Sequence, residues 1–448
     1  MQDRSDLIER INALQADRPP VLSKSRIIEY VEPFVNNRDD FLYLRQSSGS
    51  PLYIIDKDTL TKRAGQFMSA LEKHFPGAAA FYAMKSNNNR TIIRALVEQG
   101  FGVDVSSGEE LQLALECKAQ KIVFNGPGKT ERELDLAVAN RDRVTIIVDN
   151  FSELRRLHES TVTQNCAVKI GVRLNVDESG LWKKFGIPLD RLPAFIEAVK
   201  SYDKITLSGI HFHTSWNLFP DRVSAFISRL GKALSALPGD VRKGFDFLDI
   251  GGGFWPGRGE WQLSTATRDG QLFKILNNEM IPTEEPKFLV SASIGEYFTT
   301  VQAAWKMHLA PHIDARVYVE PGRWLSDDSM LILLRVMDKK ADDLVITDGG
   351  TNIVGWERYE ADYCPVINLT RPALRENKCQ IQGSLCTPHD VWGFSYWGAG
   401  IEENDTLLIP SQGAYTFCLR QTFIKPLPRC VVYSRRTKTQ ASKNQVKV

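Results

Sequence analysis

Lys85 ends a mostly apolar run, Ala79-Ala-Phe-Tyr-Ala-Met-Lys-Ser-Asn, that reads as a buried strand. Burying a lone ammonium is costly, so a lysine at such a place is deprotonated, paired or covalently used. The plain alternative is a lysine that leaves the strand into solvent. Three other segments could do chemistry with it: His211-Phe-His213, Asp249-Ile-Gly251-Gly252-Gly253-Phe, and Glu320-Pro-Gly322-Arg323. Successive glycines let backbone N–H groups approach an anion, and arginine is a bidentate phosphate donor. A triple glycine alone is equally a tight turn; paired with a Gly-Arg at the next strand end it is far more specific. A glutamate ending a buried strand is either half of an ion pair or the partner of a ring nitrogen. Beside a pyridine nitrogen it keeps that nitrogen protonated and makes the ring a strong electron sink, which suits reactions through a carbanion such as decarboxylation. His211 and His213 share one strand face. A metal would need further ligands, and His74, His158, His308, His312 and His389 do not end strands, so no metal is expected. One histidine of the pair stacking on a flat cofactor fits better, with core packing as the plain alternative. Lysine, anion cradle and glutamate together are the parts of a pyridoxal 5'-phosphate site.

The elements that must carry these residues alternate. Apolar strand-like runs at 79–84, 102–105, 122–125, 144–148, 168–174, 207–213, 246–250 and 316–320 are separated by amphipathic stretches such as 90–99, 107–117, 130–139, 190–201 and 221–237. Eight strands alternating with helices predict an α/β fold, a parallel (β/α)8 TIM-like barrel, whose functional face lies at the strands' C-terminal ends. A doubly wound open sheet is the competing arrangement. The stretch 254–315 is longer than one crossover needs and predicts an insertion with a helix over Ser293–His308. Residues 4–16 and 58–74 have helical spacing, residues 17–50 are mixed and polar, and Pro51-Leu-Tyr-Ile-Ile reads as a strand. After Arg323, short apolar runs broken by Gly, Pro and Asp turns predict an antiparallel β domain. The division expected is an N-terminal segment (1–50) joining the β domain, a barrel (51–325), the antiparallel β domain (326–433) and a polar basic tail (434–448).

Composition bounds the rest. The chain has 448 residues, 43% hydrophobic and 25% charged, ordinary for a globular protein. A formal net charge of +2 argues against nucleic-acid or membrane-surface binding. The first residues carry charge early with no apolar core, unlike a secretory signal, and no run of about 18 apolar residues appears. Seven scattered cysteines without a Cys-x-x-Cys pair fit reduced thiols in a cytoplasm.

At this point the sequence resembles the fold-type III pyridoxal-phosphate decarboxylases, the group of diaminopimelate and eukaryotic ornithine decarboxylases. The resemblance runs from about Leu52 to about Pro426. It is carried by Tyr82-Ala-Met-Lys-Ser-Asn, Phe101-Gly-Val-Asp-Val-Ser-Ser-Gly-Glu-Glu, Val172-Arg-Leu-Asn, Lys184-Phe-Gly, His211-Phe-His, Asp249-Ile-Gly-Gly-Gly-Phe, Glu320-Pro-Gly-Arg, Gly383-Ser-Leu-Cys-Thr-Pro-His-Asp and Gly413-Ala-Tyr. It implies a barrel of the alanine-racemase type and a homodimer with shared active sites. Lys85 would carry the Schiff base, His213 would stack on the ring, and Glu320 would meet its nitrogen. Gly252, Gly253, Gly322 and Arg323 would bind the phosphate with Tyr415 closing over it, while Asp104 and Arg173 support the ring. Cys386 would come from the partner subunit and protonate the substrate carbon. Asp390 matches the last acid of the family's cysteine motif.

Three departures bear on substrate. The family has an acid directly after the cysteine, where it meets the substrate's distal amino group; here it is Thr387. The small Gly-Ser loop after strand 6 is Thr214-Ser215-Trp216, and Trp255 precedes Pro256 in the glycine turn. The expected activity is decarboxylation of a diamino acid such as ornithine, lysine or diaminopimelate, L or D. The alternatives are decarboxylation of a conjugated diamino acid in siderophore biosynthesis, amino-acid racemisation, and a non-catalytic regulator. Racemases of the alanine type set arginine at the ring nitrogen, so Glu320 speaks for decarboxylation.

Overall fold

The computed structural model describes residues 4–16, 18–177, 179–277, 282, 284–355 and 361–434. The chain divides into two compact units. One comprises Leu60–Gly257 and Ser291–Ser326; the other gathers Met1–Thr59, Arg258–Val290 and the chain from Asp327 onward. No helix among the described residues is long and apolar enough to cross a membrane.

The first unit is a closed parallel barrel. Its strands 1 to 8 are Ala79–Ala83, Gly102–Val105, Ile122–Phe124, Val144–Val148, Val168–Leu174, Ile205–Phe212, Phe247–Asp249 and Arg316–Val319, and strand 8 pairs back onto strand 1. Near-continuous apolar runs form these strands because helices cover the outer face and side chains fill the inner one. The intervening helices start where the sequence supplies caps. Ser107 accepts from the Glu110 N–H, and Thr130 with Glu133 and Ser293 with Glu296 form reciprocal capping boxes. At the N-terminal end of the barrel, Ala79, Phe81, Val123, Ile147 and Phe247 form an apolar plug with Tyr318. Phe247 stacks on Tyr318 at 4.7 Å, and only a glycine at 209 leaves it room: a Cβ there would sit 2.2 Å from the Phe247 ring. The plug leaves the opposite, C-terminal end of the barrel for polar side chains.

The second unit is an eight-stranded sheet in the order Leu344–Thr347, Glu376–Gln382, Val391–Trp397, Ile367–Asn368, Thr406–Ile409, Met330–Ala341, Leu52–Asp56, Arg429–Tyr433. Most pairs are antiparallel, and three are parallel, including Leu52–Asp56 beside Arg429–Tyr433. A core of Leu22, Ile27, Val31, Phe41, Leu52, Ile54, Leu331 and Trp397 packs on one face.

Several expectations are corrected here. The strand read at Pro51-Leu-Tyr-Ile-Ile, placed within the barrel's expected bounds (51–325), is a sheet strand: Leu52–Ile55 pair antiparallel with Leu333–Met330. Residues 17–50, read as mixed and polar, hold two helices, Lys24–Asn36 and Arg38–Ser48. Their signal was sparse because each buries a narrow stripe, Ile27 and Val31 on the first and Phe41 on the second. Part of the expected insertion joins the sheet unit through a small hairpin, Glu260–Gln262 with Lys287–Leu289. The basic tail lies, apart from Ser434, outside the described residues.

Candidate active site

Parallel pairing aligns the polar side chains row by row. Ala83 on strand 1 lies opposite Asp104 on strand 2, and Arg173, His211 and Asp249 form one register row across strands 5, 6 and 7. Paired residues face the same side, so this row gathers inside the barrel above the plug. Strand 8 adds Glu320 one residue past its end, and strand 3 adds Asn125 in the same way.

Lys85 sits in a short 3-10 turn, Met84–Ser86, directly after strand 1. Its Nζ donates to Asp104 Oδ2 at 3.2 Å, with Asp104 fully buried and the lysine side chain 37% exposed. Burial, reinforced by Glu320 and partly offset by Lys85, pushes the Asp104 carboxyl up to about 7. Glu320 is buried, and burial works against its ionisation. The facing His211 and the Lys85 ammonium outweigh that and hold it well below the usual carboxylate range. Its Oε1 accepts from Asn125 Nδ2 at 3.1 Å and lies 3.1 Å from His211 Nε2. Its Oε2, buried, accepts no hydrogen bond, nor does Asp104 Oδ1.

Asn125 is the hub that sequence reading missed. Its Oδ1 accepts from the Gly126 N–H and from Arg173 Nη1, which fixes the amide so that Nδ2 faces His211 and Glu320. Arg173 in turn lies 4.5 Å over the Phe185 ring, which explains the Lys184-Phe185-Gly186 motif beside it. Asp249 was also missed. Its Oδ1 accepts from the Gly251 N–H at 2.9 Å, and burial followed by the Glu320 charge pushes its carboxyl well above the ordinary range. The Asp-Ile-Gly-Gly-Gly spacing was the available signal, read only for its glycines.

The glycine turn is built for close approach. Gly251 and Gly253 have φ of +71° and +79°, and a Cβ on Gly252 would meet the Glu320 carbonyl at 2.2 Å. Gly252, expected among the phosphate donors, spends its N–H on His213 Nδ1 at 3.1 Å. That bond places the imidazole proton on Nε2, and burial lowers the His213 pKa to about 4, so the ring is neutral. Gly322 packs its backbone against Ala83 and Ser86, and Arg323 follows it.

The barrel thus holds Lys85, Asp104, Arg173, His213, Gly252, Gly253, Glu320, Gly322 and Arg323. Cys386, Thr387, Asp390 and Tyr415 belong to the sheet unit. There Cys386 is exposed and Thr387 half-buried. Asp390 is buried with both carboxylate oxygens engaged: Oδ1 by the Thr351 N–H and hydroxyl, Oδ2 by the Leu385 N–H. It ties down its own loop. Tyr415 has a left-handed backbone, φ +57°.

His211, Asp249 and Glu320 bring three donor atoms within 4.8 Å of one another, a spacing that suits a metal ion. The reading that set a metal aside looked for histidines at strand ends and did not weigh these carboxylates. The wider donor set fits pyridoxal phosphate better. A buried, ionised Glu320 oxygen that accepts no hydrogen bond suits a protonated ring nitrogen, a neutral imidazole suits a ring face, and a lysine amine stands at the mouth.

Residues 60–327 match the family model described as pyridoxal-dependent decarboxylase, pyridoxal binding domain. A diaminopimelate decarboxylase of Aquifex aeolicus is 26% identical over 419 residues, 88% of this chain and 90% of that protein. An L-glutamyl-(BtrI acyl-carrier protein) decarboxylase of Niallia circulans is 25% identical, covering 82% of this chain and 84% of its own. The crystal structure of Helicobacter pylori diaminopimelate decarboxylase complexed with L-lysine superposes with a TM-score of 0.72 at 20% identity, over 88% of this chain and 94% of that one.

Proposed function

The chain belongs to the pyridoxal-dependent decarboxylases, and on that premise we propose that it removes the α-carboxylate of a diamino acid such as diaminopimelate, lysine or ornithine, using Lys85, Glu320 and His213 in the barrel and Cys386 from a second subunit. The observation that carries the reading is the buried Glu320 Oε2, which accepts no hydrogen bond, in the same barrel mouth as the Lys85 amine. When bound, pyridoxal phosphate supplies an electrophilic carbon for an amino group and a ring that takes up the electron pair left by carbon dioxide. The chain's own residues do the rest. Glu320 stays ionised and holds a proton at the ring nitrogen. Asn125 keeps Glu320, His211 and Arg173 in register. His213 presents an uncharged ring and adds no positive charge that would compete with that proton. Asp104 balances the charge on Lys85 Nζ. Gly253, Gly322 and Arg323 hold the phosphate. Cys386 returns a proton to the α-carbon, which makes the working unit a homodimer. A cytoplasmic setting is part of the same proposal, supported by the scattered cysteines.

A second reading is favoured by Thr387. A threonine hydroxyl in place of an acid, with Asp390 committed to its own loop, leaves the sheet unit without the usual partner for a distal ammonium. The substrate's tail is then uncharged, for example an acylated or thioester-linked amino acid. The comparisons do not favour the siderophore conjugate, and Glu320 with the family match disfavours racemisation. Carbon dioxide release across L- and D-diamino acids and their tail-acylated derivatives separates the readings. Release from free diamino acids, abolished in Lys85→Ala, is the expected result. Release confined to acylated tails selects the second reading, and release from none overturns both.

A further inference from the structure

We infer that Trp255 is a positioning residue for the phosphate end of the site, holding the Arg323 guanidinium in its anion-binding pose. The inference rests on the reading that Arg323 takes the cofactor phosphate. Trp255 lies two residues beyond Gly253, in the loop after strand 7, and Arg323 lies just beyond strand 8. Strands 7 and 8 are paired neighbours, so the two loops run side by side. The Arg323 guanidinium carbon is 4.4 Å from the centre of the Trp255 ring, a cation–π contact. Such a stack takes the flat face of the guanidinium and leaves its N–H edge in the plane from which a phosphate is bound bidentately. An arginine held this way loses less rotamer freedom on binding than one that must be caught.

The surrounding loops brace the indole. Trp216, in the loop after strand 6, has a left-handed backbone with φ +51°, a conformation a bulky side chain rarely adopts. It stays 61% exposed, so burial does not explain the bend. What the bend achieves is ring contact with Trp255, at 6.2 Å between centroids and 33° between planes. Asn217, the next residue, is buried and pins this loop to the glycine turn. Its N–H donates to the Gly253 carbonyl at 3.0 Å and its Nδ2 to the Gly252 carbonyl at 2.9 Å.

The test is equilibrium dialysis of the full-length apoprotein against pyridoxal 5'-phosphate and, separately, against pyridoxal. Trp255→Leu keeps apolar bulk and removes the π face; Trp255→Phe keeps a smaller π face. We expect Trp255→Leu to weaken binding of the phosphorylated form about five- to tenfold while leaving pyridoxal unchanged, and Trp255→Phe to recover most of the loss. Equal losses for both compounds would make Trp255 a packing residue and overturn the inference. Wild-type affinity for the phosphate in Trp255→Leu would overturn it as well. Either failure leaves the cofactor assignment standing so long as the wild type prefers the phosphorylated form. A wild type that binds neither compound removes the premise itself.

Discussion

Asp390 gives the sharpest test of the proposed substrate reading, because sequence and geometry assign it different work. The motif places it where a substrate ammonium would be met. The structure buries it at 1% exposure and engages both oxygens: the Thr351 N–H at 2.7 Å, the Thr351 hydroxyl at 3.0 Å and the Leu385 N–H at 2.7 Å. Asp390→Asn keeps an oxygen for Thr351 but turns an amide N–H toward the Leu385 N–H. One hydrogen bond to a charged acceptor is lost, and a buried donor is left unsatisfied. Each effect costs about 1–3 kcal/mol, and partial relaxation of the loop brings the expected loss to about 3 kcal/mol. Leu385 adjoins Cys386, so the same change loosens the segment carrying the proposed proton donor. Urea unfolding should show the lost stability, and steady-state kinetics should show a fall in kcat of similar size for amine-tailed and neutral-tailed substrates. Unchanged stability with a KM rise confined to substrates bearing a distal ammonium would refute this reasoning and return Asp390 to the substrate pocket.

Two further outcomes follow from the same geometry. Mixing inactive Lys85→Ala with inactive Cys386→Ala subunits should restore part of the activity, since some mixed dimers hold one intact site; no recovery under demonstrated subunit exchange would put each site within one chain. His213 is held down at about 4 by burial against a free value near 6.5, so the unfolded chain takes up a proton in that window that the folded chain refuses. The stability due to His213 is therefore complete above about pH 6.5 and is lost as pH falls toward 4, by about 3 kcal/mol in full. Relative to wild type, His213→Asn should flatten the pH dependence of unfolding free energy between pH 7 and 4.5; parallel curves would contradict the buried neutral ring.

The barrel was legible because its apolar strand runs alternate with amphipathic stretches of helical length. The run ending on Lys85 and the helix over Ser293–His308 needed no tertiary information. The strand Leu52–Asp56 was equally visible, but its partner was not: an all-buried strand looks the same in a barrel and in a sheet, and only pairing with Met330–Ala341 decides. The glutamate, lysine and His213 were found because they stand at strand ends. Asn125 stands at one too. It escaped because an uncharged amide among glycines reads as a turn, and its hub role depends on Arg173 and Glu320 arriving from strands far along the chain. For Asp390 the motif gives a position and says nothing of the donors around it, which only the folded loop supplies.

The choice among the three buried acids shows what register adds to position. Asp104, Asp249 and Glu320 share one low-dielectric barrel end with Arg173 and Lys85 as its cations. Close carboxylates that interact strongly do not all ionise together; their environments drive the pKa values apart, and the separation assigns the roles. Asp249 donates nothing to the mouth. Its Oδ1 fixes the glycine turn, and the neighbouring Glu320 charge helps keep its own carboxyl protonated. Asp104 sits near 7, poised by burial against the Lys85 ammonium at 3.2 Å. All three acids pair one engaged oxygen with one that accepts no hydrogen bond, but Glu320 alone is pressed firmly to the ionised side, with His211 Nε2 3.1 Å from its Oε1 and His213 Nδ1 3.6 Å from its Oε2. On the proposed reading the fixed negative charge that a protonated ring nitrogen requires is Glu320's, and Asn125 with the Arg173–His211–Asp249 row keeps that carboxylate in place.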